Sequence, residues 1–386
     1  MIVLQVIPEL SAGGAERTTV DVAAALARVG GTALVASQGG RLERELKSVG
    51  GELRVLPMSS KNPATMIANA FRLADIARHA DVDVIHARSR APAWSALFAA
   101  RMADRPFVTT YHGTYNASSA LKRFYNSVMA RGDVVIANSE FIAERIRSEH
   151  GSLAKEIVVI PRGVDTRAFD PAAVSAERVD ALRARWGLEG AGRVVLMPGR
   201  LTRWKGQLLM IEAFARLRSL EGDSGGVAAE AVLVMPGDDQ GRAEYRAELE
   251  GAIAVLGLGE AVRLPGHAED MAAAYALADV VVSASIEPEA FGRVAAEAGC
   301  MGRPVIATDH GGSRETVLDG EGGRLVAPGD VGAMAAALGE VLAMTPAARI
   351  EMGRKAAERA RALFSVEALQ AATLRVYDEV AARAGR

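Results

Sequence analysis

Cysteine is nearly absent from this 386-residue chain, with Cys300 the only one. An internal disulfide is therefore excluded, and nothing points to an oxidising compartment. Aromatic residues are scarce at 5%, so the cores are expected to be built from small side chains, Ala and Val foremost. A basic surplus is missing as well: 45 Lys and Arg stand against 47 Asp and Glu, for a formal charge of −2. That balance argues against a dedicated nucleic-acid binder, which needs cations to neutralise phosphates. No run approaches the roughly 18 uncharged apolar residues that span a bilayer. The opening Met1-Ile-Val-Leu-Gln-Val-Ile7 lacks a basic leader and is followed by Glu9 and Glu16; it reads as a first strand and not as a signal peptide. The expected location is the cytoplasm, with attachment to the inner face of the membrane left open.

Several motifs are missing too. No G-x-G-x-x-G follows a strand pattern and no Walker sequence occurs, which argues against nicotinamide and P-loop chemistry. His79, His86, His112, His150, His267 and His310 show no paired metal-ligand spacing, so no metal and no other cofactor is expected. Asp81-Val-Asp83 has the look of a two-carboxylate metal motif, but it runs directly into Val84-Ile-His86. It is read as a helix end and a strand start.

What is present is an α/β rhythm. Half the residues are apolar and 24% charged, the balance of an ordinary globular protein, and the length suggests two or three domains. Strands are expected near 2–7, 32–36, 53–56, 83–86, 107–110, 133–136 and 157–160. Helices are expected between them near 15–29, 63–79, 91–102, 118–130 and 139–149. Asn62-Pro63 supplies an N-cap and a proline at the first helical position, and Asn138-Ser139 a second cap. Strict alternation with uninterrupted strands such as Asp133-Val-Val-Ile136 predicts a parallel sheet covered on both faces. The rhythm restarts after Asp165, with a helix near 175–186 and strands near 193–197, 231–235, 261–264, 279–283, 304–307 and 323–326. Residues 221–229 read as a surface loop. Two helices, near 346–363 and 366–383, close the chain. The expectation is thus two Rossmann-like doubly wound domains facing a central cleft, 1–168 and 169–365. The helix at about 366–386 crosses back to the first domain, because its apolar face (Leu369, Ala372, Leu374, Val376) needs a partner. Such sheets bind ligands outside the carboxyl ends of their strands.

Four segments at strand ends carry chemistry. Ser11-Ala-Gly-Gly-Ala-Glu16 joins the first strand to the first helix, and Gly13 and Gly14 let backbone N–H groups approach an anion; an ordinary tight turn is the alternative. Pro198-Gly-Arg-Leu-Thr-Arg-Trp-Lys-Gly206 follows the opening strand of the second domain, placing Arg200 and Lys205 where they could clamp a diphosphate. Glu287-Pro-Glu-Ala-Phe-Gly-Arg-Val-Ala-Ala-Glu297 sits between two strands. With Glu297 two turns inside a helix begun at Glu289, the two carboxylates would share a side about 12 Å apart along the axis. That spacing suits opposite ends of one extended polar ligand. Thr109-Thr-Tyr-His-Gly-Thr-Tyr115 follows a first-domain strand, so His112 should face the cleft; a structural histidine is the alternative.

In this order and spacing, these segments resemble glycosyltransferase family 4, the retaining enzymes of the GT-B fold. Val-Ile-Ala-Asn-Ser139, Ile-Pro-Arg-Gly-Val-Asp165 and Gly302-Arg-Pro-Val-Ile306 belong to the same likeness, which covers nearly the whole chain and is most specific at Glu289-x₇-Glu297. The resemblance implies a metal-independent hexosyltransferase, similar to bacterial lipopolysaccharide-core and exopolysaccharide enzymes, with mannose among its candidate sugars. It implies that Arg200 and Lys205 hold the nucleotide diphosphate, that Glu297 binds the ribose, and that Glu289 contacts the donor sugar beside the Phe291-Gly292 backbone. Gly13 and Gly14 would line the opposite domain, and His112 would touch the transferred sugar or the acceptor. Base recognition in such folds often uses main-chain groups, here near Gly266 and His267, so side chains do not separate a GDP-sugar from a UDP-sugar. Arg162 departs from the Asn that the family commonly places before Gly-Val-Asp. Retention without a nearby nucleophile implies front-face displacement, the departing phosphate taking the acceptor proton. Alternatives are a nucleotide-sugar epimerase or phosphorylase on the same scaffold, or a non-catalytic nucleotide-sugar binder.

Charge distribution bears on the acceptor. Between Val84 and Gly132 lie Arg88, Arg90, Arg101, Arg105, Lys122, Arg123 and Arg131 against the single acid Asp104, interspersed with Trp94, Leu97, Phe98, Leu121, Phe124 and Tyr125. Two core-facing helices with solvated basic backs would account for the pattern. The functional reading is a basic, partly apolar face that attracts an anionic glycan or glycolipid acceptor, or an anionic membrane.

Overall fold

Every strand pairing in the computed structural model, which describes residues 1–11, 13–115, 119–221 and 226–385, is parallel. Strands β1 (Ile2–Val6), β2 (Thr32–Ser37), β3 (Gly51–Val55), β4 (Val84–Ala87), β5 (Phe107–Tyr111), β6 (Val134–Ala137) and β7 (Ile157–Val159) form one sheet in the order β3-β2-β1-β4-β5-β6-β7. Strands β8 (Arg193–Leu196), β9 (Ala231–Val234), β10 (Val262–Arg263), β11 (Val280–Ser283), β12 (Val305–Thr308) and β13 (Gly323–Val326) form the other in the order β10-β9-β8-β11-β12-β13. The chain accordingly divides into two units, Met1–Gly163 with Val366–Arg386, and Val164–Ser365. Both sheets grow outward in two directions from a central strand, which is the doubly wound arrangement.

In the first unit, alternate strand residues Val3, Val35, Val84, Val108 and Val134 pack beneath Val20 and Leu26 of the helix Gly14–Arg28. The last helix, Val366–Arg383, completes that layer with Leu369, Val376, Tyr377 and Val380, so the expected return to the first domain is observed. Each such burial stabilises by roughly 1.5–3 kcal/mol. Polar contacts fix its position: Gln370 Nε2 donates to the Asp21 carbonyl at 2.6 Å and its Oε1 accepts from Arg28. Asn62 caps the helix Pro63–His79 through Ala64 and Thr65 N–H, as the Asn-Pro pair predicts. At the second expected cap, Ser139 is the acceptor for Ile142 N–H, while Asn138 turns to the His112 carbonyl.

In the second unit the two faces of one strand feed two layers. Val195 lies with Met210, Phe214, Leu338 and Val341, whereas Val194 and Leu196 lie with Leu182, Tyr275, Ala295 and Ala298.

Some elements differ from expectation. The helix expected over 118–130 is an α-helix, Ala120–Asn126, followed by a 3₁₀ turn, Ser127–Ala130; residue 118 lies outside the described residues. A short helix, Glu43–Ser48, was not anticipated. Of the loop read over 221–229, residues 222–225 lie outside the described residues, and the helix Gln207–Glu221 runs up to them. Beyond them Ala228 is buried in the core.

Candidate active site

The second sheet reverses its direction of growth between β8 and β11, so the loops leaving these strands diverge at the carboxyl edge. Ligands bind at such switch points. After β8 the chain makes a 3₁₀ turn, Arg203–Lys205, and ends it at Gly206 with φ +79. A Cβ at Gly206 would run into the Ala284 carbonyl oxygen, so glycine is what lets this loop close on the end of β11. Closure brings Lys205 Nζ to 2.8 Å from Glu289 Oε1. The same oxygen accepts from Ser285 Oγ at 2.6 Å and Ser283 Oγ at 3.2 Å. Burial opposes ionisation of Glu289, but the Lys205 charge and the three donors outweigh it and hold the carboxyl below its ordinary range. Lys205 Nζ also lies 4.5 Å from the centre of the Trp204 ring. Arg200, on the same loop, is exposed; its carbonyl is tied by Gln207 Nε2 at 2.9 Å.

The helix carrying Glu297 spans Arg293–Cys300 and starts after Gly292, whose φ is +90. The expectation that Glu297 stands two turns into a helix begun at Glu289 is thus corrected: Glu289 sits on the preceding loop and Glu297 is just over one turn in. The left-handed glycine is what shortens the helix. Glu297 is buried, accepting from the Tyr275 hydroxyl at 2.9 Å and from Arg293 Nε at 2.6 Å. Burial, and then the Glu297 charge, push the Tyr275 hydroxyl well above its ordinary pKa. The Phe291 ring is buried at 5.3 Å from the Phe364 ring, so only its backbone is left for a ligand. The loop after β12 props this segment, with Gly312 N–H donating to the Glu289 carbonyl at 2.8 Å. Gly266 and His267 follow β10; the Gly266 carbonyl accepts from Gly237 N–H at 2.8 Å, and His267 is exposed. Ser283, Ser285, Tyr275 and the Gly311-Gly312 pair were missed by sequence reasoning. Small polar residues directly after a buried strand were the available signal for the two serines.

The first unit gathers its own set at the carboxyl edge of its sheet. Gly13 precedes the helix Gly14–Arg28, and the Arg162 guanidinium lies where a Cβ on Gly14 would be. Arg162 Nη2 donates to the His112 carbonyl at 2.9 Å, and Asn138 Nδ2 donates to it at 3.1 Å. Both His112 ring nitrogens are shielded from solvent and have no hydrogen-bond partner among the described residues. Burial first, then the Arg162 and Arg88 charges, hold the imidazole well below its usual pKa, so it is neutral. Arg88, placed by its motif on a basic surface, is instead fully buried. Its Nε donates to Gln5 Oε1 at 2.6 Å, and the Tyr377 hydroxyl lies 3.5 Å from Nη2.

Asp83 accepts from Ile2 N–H at 2.7 Å, and Asp81 pairs with Arg105 at 2.9 Å, which gives the Asp-Val-Asp motif its strand-anchoring work. Among the described residues no three His, Cys, Asp or Glu side chains converge as metal ligands.

Comparison with known proteins agrees with this layout. Residues 12–168 match the Glycosyltransferase Family 4 model, and residues 179–362 match the model for Glycosyl transferases group 1. The chain is 32% identical to the D-inositol 3-phosphate glycosyltransferase of Xylanimonas cellulosilytica over 78% of this chain and 73% of that one. A solved glycosyltransferase from Rickettsia africae superposes with a TM-score of 0.88 at 33% identity, covering 98% of each chain. Anabaena HepE, solved with UDP-glucose, superposes with a TM-score of 0.80 at 25% identity, over 98% of this chain and 100% of that one. The Glu-x₇-Glu loop, the Lys-Gly turn and the paired parallel sheets therefore have one source: the chain belongs to glycosyltransferase family 4 and has the GT-B fold.

Proposed function

We propose that this protein is a retaining hexosyltransferase that moves a sugar, mannose among the candidates, from a nucleoside diphosphate donor to an anionic glycan or lipid-linked glycan. The acceptor belongs to bacterial envelope polysaccharide or lipopolysaccharide. The observation that carries the proposal is the Lys205–Glu289–Ser283–Ser285 cluster at the β8/β11 switch point. A lone buried ion pair there would be an inefficient way to stabilise a fold. It is an effective way to preset a cation and a carboxylate for the phosphate and hydroxyl groups of one ligand. HepE, solved with UDP-glucose, favours a UDP-sugar, and the relatives named for D-inositol 3-phosphate favour an acceptor bearing an anion.

In this reading Lys205 and Arg200 hold the diphosphate and Glu297 the ribose, while Glu289 accepts hydrogen bonds from the sugar hydroxyls. The backbone of Phe291-Gly292 and of Gly266-His267 borders the nucleotide. Neutral His112, whose ring nitrogens have no partner among the described residues, hydrogen-bonds a sugar or acceptor hydroxyl, and Gly13 and Gly14 present backbone N–H groups. The bond from the anomeric carbon to the leaving phosphate oxygen breaks, and the acceptor oxygen attacks from the same face. The acceptor proton passes to the leaving phosphate oxygen. The cations stabilise the charge that develops there, so the reaction proceeds without a metal.

A thermal-shift and turnover panel of GDP- and UDP-sugars tests the proposal, followed by NMR of the product's anomeric configuration. A donor at a hundredfold its Kd should stabilise by about 2.7 kcal/mol. Retention of configuration is expected, and an inverted product would refute the front-face mechanism. Interconversion of the donor sugar without transfer would instead favour the epimerase.

A further inference from the structure

At the amino edge of the second sheet, the residues leading into β11 and β12 border a cavity of about 220 Å³. Its facing wall is the first turn of the helix Pro346–Leu363. That helix lies close because Gly353 has no side chain: a Cβ there would run into the Gly302 carbonyl oxygen. Three arginines gather here around one acid. Arg349 Nη2 lies 3.5 Å from Asp279 Oδ1, Arg193 Nε lies 4.0 Å from the same oxygen, and Arg303 lines the cavity beside them. Asp279 is already committed, since its Oδ2 accepts from Val194 N–H at 2.9 Å. Among the described residues no other acid lines the cavity, so three cations meet one carboxylate.

Structural bonds use part of this donor set. Arg349 Nη1 donates to the Met344 carbonyl at 2.6 Å, and Arg303 Nη2 to the Ala276 carbonyl at 2.8 Å. What they leave over points to a ligand. The Nε groups of Arg193 and Arg303 are shielded from solvent and have no hydrogen-bond partner among the described residues. Arg349 is 7% exposed and stands in a first helical turn, where the backbone dipole favours an anion over a cation. Burial, and then the Arg193 charge, hold its pKa below the ordinary arginine value against the pull of Asp279. Buried cations in excess of their partners are costly, and a counter-anion removes that cost. Guanidinium forks match tetrahedral oxyanions through paired N–H···O bonds. The cavity falls below the roughly 300–1,000 Å³ that drug-sized ligands occupy, which restricts the ligand to a small one.

We propose that Arg193, Arg303 and Arg349 form a binding site for a small phosphate anion, free or as a monoester. The site is separate from the Lys205–Glu289 cluster, which stands at the carboxyl edge of the same sheet, and does not depend on the sugar chemistry there. Calorimetry and thermal melting of the full chain test it, with inorganic phosphate, glycerol 3-phosphate and, at equal ionic strength, sodium chloride. Both phosphates should raise the melting temperature by mass action, and chloride should not. Tighter binding of glycerol 3-phosphate would assign the site to a monoester, and tighter binding of inorganic phosphate to the free anion. Arg193→Gln and Arg303→Gln should each weaken binding about tenfold or more, as for loss of a charged hydrogen bond. Lys205→Ala should retain the binding, which separates it from capture of phosphate at the donor loops. Ile350→Glu brings a carboxylate to the cavity wall from a position that is 70% exposed. It should raise the phosphate-free melting temperature and abolish the response to phosphate, and it decides the matter if Arg303→Gln does not fold. A chloride response equal to that of phosphate overturns the proposal. So does loss of binding in Lys205→Ala, or wild-type phosphate affinity in both Arg193→Gln and Ile350→Glu.

Discussion

At the residue scale, the Lys205–Glu289 pair joins two motifs 84 positions apart. Glu297→Gln should weaken nucleotide binding by about 1–3 kcal/mol, the range for a charged acceptor, as read by calorimetry; unchanged affinity would remove the ribose assignment. Arg162 ties the Gly-Gly turn to the His112 loop, and this is where the chain departs from its family's usual Asn. Arg162→Asn is expected to raise the His112 pKa while leaving it below the ordinary value, since burial and Arg88 persist. Histidine NMR titration checks the shift, and an unmoved resonance would show that Arg162 does not set it. Arg162 was recognisable as a departure, but its contact with Gly14 was not, because that contact joins the first turn of the unit to its last loop.

At the element scale, the last helix is held by chemistry as well as by apolar burial. The Tyr377 hydroxyl lies 2.6 Å from His86 Nδ1, and His86 Nε2 lies 2.7 Å from Thr110 Oγ1. Tyr377→Phe should therefore cost about 1–3 kcal/mol, the penalty for leaving buried polar partners unsatisfied; denaturant unfolding measures it. The amphipathic stripe of this helix was legible in Leu369 and Val376, and so was the helix's return to the first domain. The network behind Tyr377 was not, since nothing local marks His86 or Arg88 as buried. The start at Arg293 was misread for a related reason. Glycine is compatible with helix or turn, and a Cβ on the left-handed Gly292 would run into Thr316, on the short helix Ser313–Thr316 that follows Gly311 and Gly312.

At the scale of the whole molecule, two neutral buried histidines make the first unit acid-sensitive. His86 is held well below its ordinary pKa by burial, then by Arg88 and His112, and His112 is held there by burial, Arg162 and Arg88. Their unfolded forms take up protons near pH 6.5, before the folded forms do. The stability they confer is complete above that value and is lost as pH falls toward their folded values, at up to about 1.4 kcal/mol per pH unit for each. A melting temperature that falls between about pH 6.5 and 5, less steeply in His86→Gln, is expected; a flat profile would contradict burial of both rings. The parallel sheets were legible throughout, because the β-branched runs carry few polar interruptions and their connections are helical. Surface and interior arginines were not separable, because both occur in the same basic stretch.

The central claim is that the β8/β11 loops form a donor site in which Lys205 stabilises a departing diphosphate. The direct measurement is release of nucleoside diphosphate by wild type and by Lys205→Ala, with the folded state of each followed by circular dichroism and thermal melting. Turnover should fall by about two to three orders of magnitude, as for loss of one preorganised oxyanion donor. The fold should survive, because Lys205 is on a loop and not in the core. A Lys205→Ala protein that releases nucleoside diphosphate at the wild-type rate would contradict the account.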